Sequence, residues 1–282
     1  MRSDCHIHMV LDGSDWRVAI ARHREKPEDG AIAQVLETYQ GLGFRYLRDG
    51  GDRWGVGRRA KELAPGYGIA YRTPCAPLCR AGHYGGFIGK TFSDLSEYRA
   101  RIRENKNDGA DFVKIMISGL MDFDHYGVLS EPGLGEEEIG ELIRIAHGEG
   151  FAVMAHANGA KTVLAAAKAG VDSIEHGAYL NEEALCAMRD AGTVWVPTLS
   201  AIGNLRGKGR FSQEAVEKIL ASAQKNVALF AAMGGLLAPG TDAGAWAVPH
   251  GSLTEYALLE EALGAQAETL LQKGTDVIRE RF

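Results

Sequence analysis

No stretch of this chain approaches the roughly 20 consecutive apolar residues that a membrane-crossing helix needs, so no membrane partner is expected. Cysteine is scarce. Cys5, Cys75, Cys79 and Cys186 are too few and too scattered for a disulfide framework. Cys75 and Cys79 find no second pair to complete the four ligands of a zinc knuckle. These thiols read as small buried or half-buried core groups. No Lys/Arg-rich run exists, and 31 basic against 37 acidic residues give a net charge of -6, which argues against nucleic acid as a partner. The chain opens at Met1 and reaches its first chemistry-bearing residues within four positions, leaving no room for a signal peptide, so a cytoplasmic location is expected.

What is present is a large apolar fraction, 45%, in 282 residues, the length of one α/β barrel. Strand patterns fall near 4–9, 44–49, 67–73, 111–117, 151–156, 172–176, 193–198 and 236–241. Helical patterns alternate with them, near 29–42, 55–64, 94–107, 135–149, 159–169, 181–191, 212–233 and 252–263. Gly41, Gly109, Gly150, Gly170 and Gly192 stand where helices should close, and Asp94, Asn181 and Ser212 where they should start. Eight alternating units imply a parallel sheet and most naturally a (β/α)8 TIM barrel. The rival open sheet carries a glycine-rich turn after its first strand; here His-x-His stands in that place. We therefore expect one domain over 1–282, with 265–282 as an exposed helical tail. Loops 80–89 and 118–132 should lie at the C-terminal ends of the strands, where barrel sites collect. Gly203 to Arg210 is basic and reads as a third loop.

The chemistry begins with Asp4-Cys5-His6-Ile7-His8. A side-chain period of two puts Asp4, His6 and His8 on one face and Cys5 and Ile7 on the other. Lys114, His156, His176 and Asp242 interrupt later strand-like segments, each at or just past a strand's C-terminal end. Imidazoles with a carboxylate suit zinc, manganese, iron or cobalt better than calcium or magnesium. Lys114 lies in the apolar Phe112-Val113-Lys114-Ile115-Met116, where an unpaired ammonium is costly. Its amine could react with CO2 to a carbamate, giving two divalent metals, expected to be zinc, an anionic bridge and a shared hydroxide. The plainer alternative is a lysine salt-bridged to a carboxylate such as Asp49. A lone strand histidine is usually a satisfied core residue, and Asp242 could merely cap a turn; the shared strand end favours the site.

The motifs His6-Ile7-His8, Val113-Lys114-Ile115, Ala155-His156-Ala157, Ile174-Glu175-His176-Gly177 and Gly240-Thr241-Asp242 occur in an order that resembles the amidohydrolase superfamily. Within it, they are most similar to the imidazolonepropionase- and prolidase-like branch. His250-Gly251, followed by an acidic, leucine-rich helix, adds to the resemblance. The likeness implies that His6, His8 and Asp242 bind the more buried metal and that His156 and His176 bind the more exposed one. Lys114 would be the bridging carbamate, and Asp242 would carry a proton to the leaving group. That branch usually has a flanking β-sandwich, expected to be absent here, either because this is a barrel-only variant or because flanking segments are missing.

Substrate signals are thinner. His83, Tyr84 and Tyr126, with His125, occupy the two long loops; His83 and Tyr126 are the expected oxyanion donors. Asn158 and Tyr84 are expected substrate contacts, and Arg48, Arg72, Arg80 and Arg206 are candidates for a substrate carboxylate. The expected activity is hydrolysis of an amide-type bond in a small molecule such as an N-acyl amino acid, dipeptide or cyclic amide. A lactonase or phosphotriesterase on the same centre is the first alternative. A mononuclear deaminase is next, although His156-Ala157-Asn158-Gly159 lacks that subgroup's glutamate. A metal-binding regulatory barrel is the non-enzymatic alternative, and homo-oligomer formation is left open.

Overall fold

The computed structural model describes residues 2–282. Three strands, β1 (Arg2–Ile7), β2 (Phe44–Asp49) and β3 (Ala70–Arg72), form one parallel sheet in that order. A second parallel sheet contains β4 (Leu78–Arg80), β5 (Lys90–Phe92), β6 (Val113–Met116), β7 (Val153–Ala157), β8 (Ser173–His176), β9 (Val194–Val196) and β10 (Leu236–Leu237), ordered β10-β9-β8-β7-β6-β4-β5. The helices are α1 (Trp16–Arg22), α2 (Asp29–Gly41), α3 (Val56–Leu63), α4 (Leu95–Asn107), α5 (Glu136–Gly148), α6 (Ala160–Lys168), α7 (Glu182–Ala191), α8 (Ser200–Gly203), α9 (Gln213–Ala232), α10 (Thr254–Leu263) and α11 (Ala267–Arg281). No helix among the described residues is long and apolar enough to cross a membrane.

The α/β alternation is as expected, and its causes are visible. Strands β6, β7 and β9 are buried at every position, the pattern of parallel strands covered by helices. Asp94, Asn181 and Ser212 each accept a backbone N–H three residues on, satisfying donors that a helix start leaves free. Backbone hydrogen bonds tie β1 to the segment after β10: Cys5 donates to Pro239 O, Asp242 to His6 O and His8 to Ala243 O, at 2.7–2.8 Å.

Four features depart from the sequence expectation. Helices α1 and α8 and strands β4 and β5 are too short to show a period, and loop 80–89 lies between β4 and β5, two strands the sequence pattern did not mark. The last strand keeps two residues of the six expected. Residues 265–282 form no exposed tail. Leu271, Ile278 and Phe282 of this segment are buried, and the Phe282 ring meets Phe112 at 5.2 Å and lies under the Arg48 guanidinium.

The fourth departure is in β1. Cys5 packs with Met154, Val194 and Val196, whereas Ile7 packs with Ile32, Leu36 and Leu47. Asp4 reaches Tyr39 of α2, while His6 reaches Glu175 of β8. The single-face reading therefore holds for His6 and His8, which line one cavity, and fails for Asp4, because a register shift between Asp4 and Ile7 breaks the period of two.

Helix α10 carries a buried acid with a measurable consequence. Glu255 Oε2 accepts from Ser200 N at 2.7 Å and Ser200 Oγ at 3.0 Å, satisfying the start of α8. Burial pushes its carboxyl up to about 8. The folded state therefore keeps a proton that the unfolded chain releases above about 4.5, so this group's contribution to stability falls as pH rises from about 4.5 to about 8, by about 1.4 kcal/mol per pH unit. Glu255→Gln should flatten that fall. Urea midpoints of both proteins at pH 5 and pH 8.5 check it; parallel slopes would refute it.

Candidate metal centre

One donor atom from each of His6, His8 and Asp242 lies within 4.8 Å of the other two. His6 Nε2 is 3.4 Å from His8 Nε2, and Asp242 Oδ1 is 3.2 Å from His8 Nε2 and 3.6 Å from His6 Nε2. Each residue is placed by backbone chemistry. Gly50 donates to Ile7 O, and a Cβ at Gly50 would collide with the His8 ring, so the absence of a side chain there makes room for the imidazole. Asp242 has φ 58° and His176 φ 67°, a left-handed backbone that non-glycine residues adopt at a cost of about 1–3 kcal/mol. At Asp242 the turn is pinned from both sides. Its N–H donates to His6 O, and Thr241 donates through N and Oγ1 to the two oxygens of Asp4, at 2.8 and 2.6 Å.

Behind His6 stands a pair, Glu175 and Arg48, to which the sequence assigned no role in supporting the ligands. Glu175 Oε2 is 2.8 Å from His6 Nδ1, and Glu175 Oε1 accepts from Arg48 at 2.8 Å and from Ser173 Oγ at 2.6 Å. Neither Glu175 nor Arg48 exposes any side-chain surface. The carboxylate holds the proton on Nδ1 and turns an unprotonated Nε2 toward His8 and Asp242. A charged residue beside His176 in an apolar strand was the available signal, and it was visible in the sequence as Ile174-Glu175-His176.

His156 and His176 approach with ring centroids 4.5 Å apart, and His176 lies 5.1 Å from His6. His156 Nε2 is engaged by Gly119 O at 3.2 Å, which leaves Nδ1 as its donor; His176 Nδ1 is 2.8 Å from Thr198 Oγ1, which leaves Nε2. Burial, reinforced by Lys114 for His156 and by His156 for His176, holds both well below the usual histidine range, His156 at about 3. Burial does the same to His6, so these three rings are neutral, the form that binds metals.

Lys114 Nζ is buried and has no hydrogen-bond partner. The salt bridge to Asp49 considered from the sequence is not formed: Asp49 accepts from Met9 N and Thr73 Oγ1 instead. Burial lowers the amine to about 8, against the opposing pull of Glu175.

All six expected ligands line one cavity of about 750 Å³, together with Tyr84 and Asn158. Tyr84 packs against His156, the rings tilted at 41° with centroids 5.0 Å apart. Asn158 is locked among Ser118, Gly119 and Ala178. His83 and Tyr126 are not part of the cavity wall. His83 lies 3.5 Å from Glu131, and Tyr126 bonds Ser222 and packs on Tyr179. Arg48 is consumed by Glu175, Arg80 by Glu138 and Arg206 by Glu217, and Arg72 donates to Tyr71 O; the arginines that do line the cavity are Arg17 and Arg210.

No protein-family model matches the chain. An uncharacterized protein of Mycobacterium tuberculosis is 28% identical over 275 residues, 95% of this chain and 70% of that protein. Ochratoxinase of Aspergillus niger is 30% identical over 153 residues, 51% of this chain and 28% of the enzyme. Among solved structures, a Xaa-Pro dipeptidase with methionine bound in its active site superposes with a TM-score of 0.78 at 24% identity, covering 98% of this chain and 74% of that one. The Aspergillus niger ochratoxinase structure gives 0.76 at 21% identity, covering 96% and 68%.

Proposed function

We propose, from the fold and the order of the motifs, that this chain is an amidohydrolase-superfamily protein and a metal-dependent hydrolase of amide-type bonds in small molecules. We read the two sheets as one (β/α)8 barrel whose C-terminal strand ends surround the cavity. The observation that carries the proposal is the convergence of His6, His8 and Asp242 beside the partnerless buried amine of Lys114 in a single cavity.

The donor set fits a pair of divalent ions. His6, His8 and Asp242 would hold one, and His156 and His176 the other. Lys114 would serve both as a carbamate, formed when its neutral amine adds to the carbon of CO2 and the nitrogen gives up a proton. Zinc suits these nitrogen and oxygen donors. Such ions supply Lewis acidity toward a carbonyl and a water activated at neutral pH.

The remaining work falls to the chain's own side chains. Glu175 fixes the His6 tautomer. Tyr84, half-buried on the cavity wall, would donate its hydroxyl to the oxygen that gains charge as the amide carbonyl is attacked. The Asp242 carboxylate takes the proton of the attacking water and returns it to the leaving nitrogen. Asn158 holds the loop that carries Gly119 against His156.

Elemental analysis and Lys114→Ala test the centre together. The wild-type protein, prepared in bicarbonate without chelators, should carry about two equivalents of a transition metal and hydrolyse N-acyl amino acids or dipeptides. The variant should carry about one equivalent or less. About one equivalent in the wild type would favour the mononuclear deaminase, and none after reconstitution would end the catalytic reading.

A further inference from the structure

Most arginines on this molecule are paired with carboxylates of the same chain, as are Arg22 with Asp12, Arg59 with Asp29, Arg80 with Glu138 and Arg101 with Glu97. Arg17 and Arg210 have no such partner among the described residues, and both line the cavity of the metal centre. Each is laid on aromatic rings of the same wall. Arg210 Cζ stands 4.4 Å over Trp246 and 5.2 Å over Phe211, and Arg17 Cζ stands 4.5 Å over Trp16. The rings are themselves buttressed, Phe211 against Trp246 at 5.9 Å and against Phe123 at 5.3 Å.

That arrangement has a chemical meaning. A guanidinium held over a ring can keep edge N–H groups available for a planar anion, and the contact reduces the rotamer freedom lost on binding. The carboxylates on this wall do not compete for it: Asp15 accepts from Arg17 N as the cap of α1, and Asp242 lies with His6 and His8. Six aromatic side chains, Trp16, Tyr84, Phe87, Phe123, Phe211 and Trp246, line the same cavity in a chain that is only 8% aromatic. Two cations without carboxylate partners at one mouth form a local attractor for anions, against the chain's net charge of -6.

We propose that Arg210, seated on Trp246 and Phe211, is the receptor for the anionic group of an aryl-bearing carboxylate substrate, with Arg17 contributing from α1. The proposal rests on reading this cavity as the amidohydrolase active site and adds to it the substrate's second recognition point. The amide lies at the metal ligands, the aryl group against the ring-lined wall, and the carboxylate on Arg210.

Calorimetric titration of the full-length protein as isolated, with 3-phenylpropionate and with its neutral carboxamide, tests this without requiring turnover. The acid should bind the wild type about 10-fold or more tightly than the amide, and Arg210→Ala should reduce acid binding about 10- to 100-fold while sparing the amide. Arg210→Lys should recover only part of the loss, because a point charge lacks the fork. Arg189→Ala, which removes an exposed arginine paired with Asp190 on α7 and absent from the cavity wall, should change nothing. Equal affinity for acid and amide, no binding of either, or a preference that survives Arg210→Ala would overturn the proposal. If the acid preference holds but no N-acyl amino acid is cleaved, the hydrolase reading falls and the anion site stands. If cleavage occurs and Arg210→Ala leaves KM for carboxylate substrates unchanged, the anion site falls alone.

Discussion

Asp242→Asn should lower kcat about 10²- to 10⁴-fold, the range removed with a general acid–base group, while leaving the fold intact. The separation is possible because asparagine is the non-glycine residue that, with aspartate, best tolerates the left-handed backbone seen at φ 58°. The backbone bonds that pin the turn, Asp242 N to His6 O and Thr241 to Asp4, do not involve the exchanged atom. What is lost is a charged oxygen 3.2 Å from His8 Nε2 and its capacity to accept and release a proton. Turnover, metal content and thermal midpoint measured on one preparation distinguish the outcomes. Loss of turnover with metal retained supports the proton-carrying role, whereas loss of metal would make Asp242 chiefly a ligand. A kcat within about 10-fold of wild type, with metal bound, would rule out both the shuttle and the mechanism proposed above.

The residues of this centre were legible in the sequence because each interrupts an apolar strand at the same end. Such an interruption is visible wherever a polar group is expensive to bury. Lys114 is the clearest case: the apolar run around it forecasts a costly amine, and the structure leaves its Nζ without a partner. Contacts that depend on register were not legible. The shift between Asp4 and Ile7 sends Asp4 outward to Tyr39 and His6 inward to Glu175, and nothing in Asp4-Cys5-His6 marks a bulge. The short strands β4 and β5 offer three residues each, too few for any period. Loop side chains were the least legible of all. Tyr84 and His83 are neighbours in sequence, yet one lines the cavity and the other turns toward Glu131. Which of two adjacent loop residues turns inward is decided by packing, not by composition.

Glu175→Gln should be the most damaging single change behind the metal ligands, through two effects that can be measured apart. The first is electrostatic. Arg48 is wholly buried, donating to Cys5 O, Ser173 Oγ and Glu175 Oε1, and the Glu175 carboxylate is its direct counter-charge. Removing one partner of a buried pair costs about 3–5 kcal/mol, because the remaining charge has been stripped of water without compensation. The second effect is on the His6 tautomer. A carboxylate at 2.8 Å from Nδ1 can only accept, so it keeps the proton on Nδ1 and leaves Nε2 open toward His8 and Asp242. A glutamine can offer its amide N–H instead, which favours the opposite tautomer and puts a proton on the ligating nitrogen. Metal affinity should then fall about 10- to 100-fold. Adding Arg48→Met to Glu175→Gln separates the two. The double variant should regain much of the lost thermal stability, since no buried charge remains unpaired, yet its metal affinity should stay low. If the second substitution restores both, the pair acts only through stability. If Glu175→Gln leaves metal affinity at the wild-type value from the outset, the carboxylate does not set the histidine's proton.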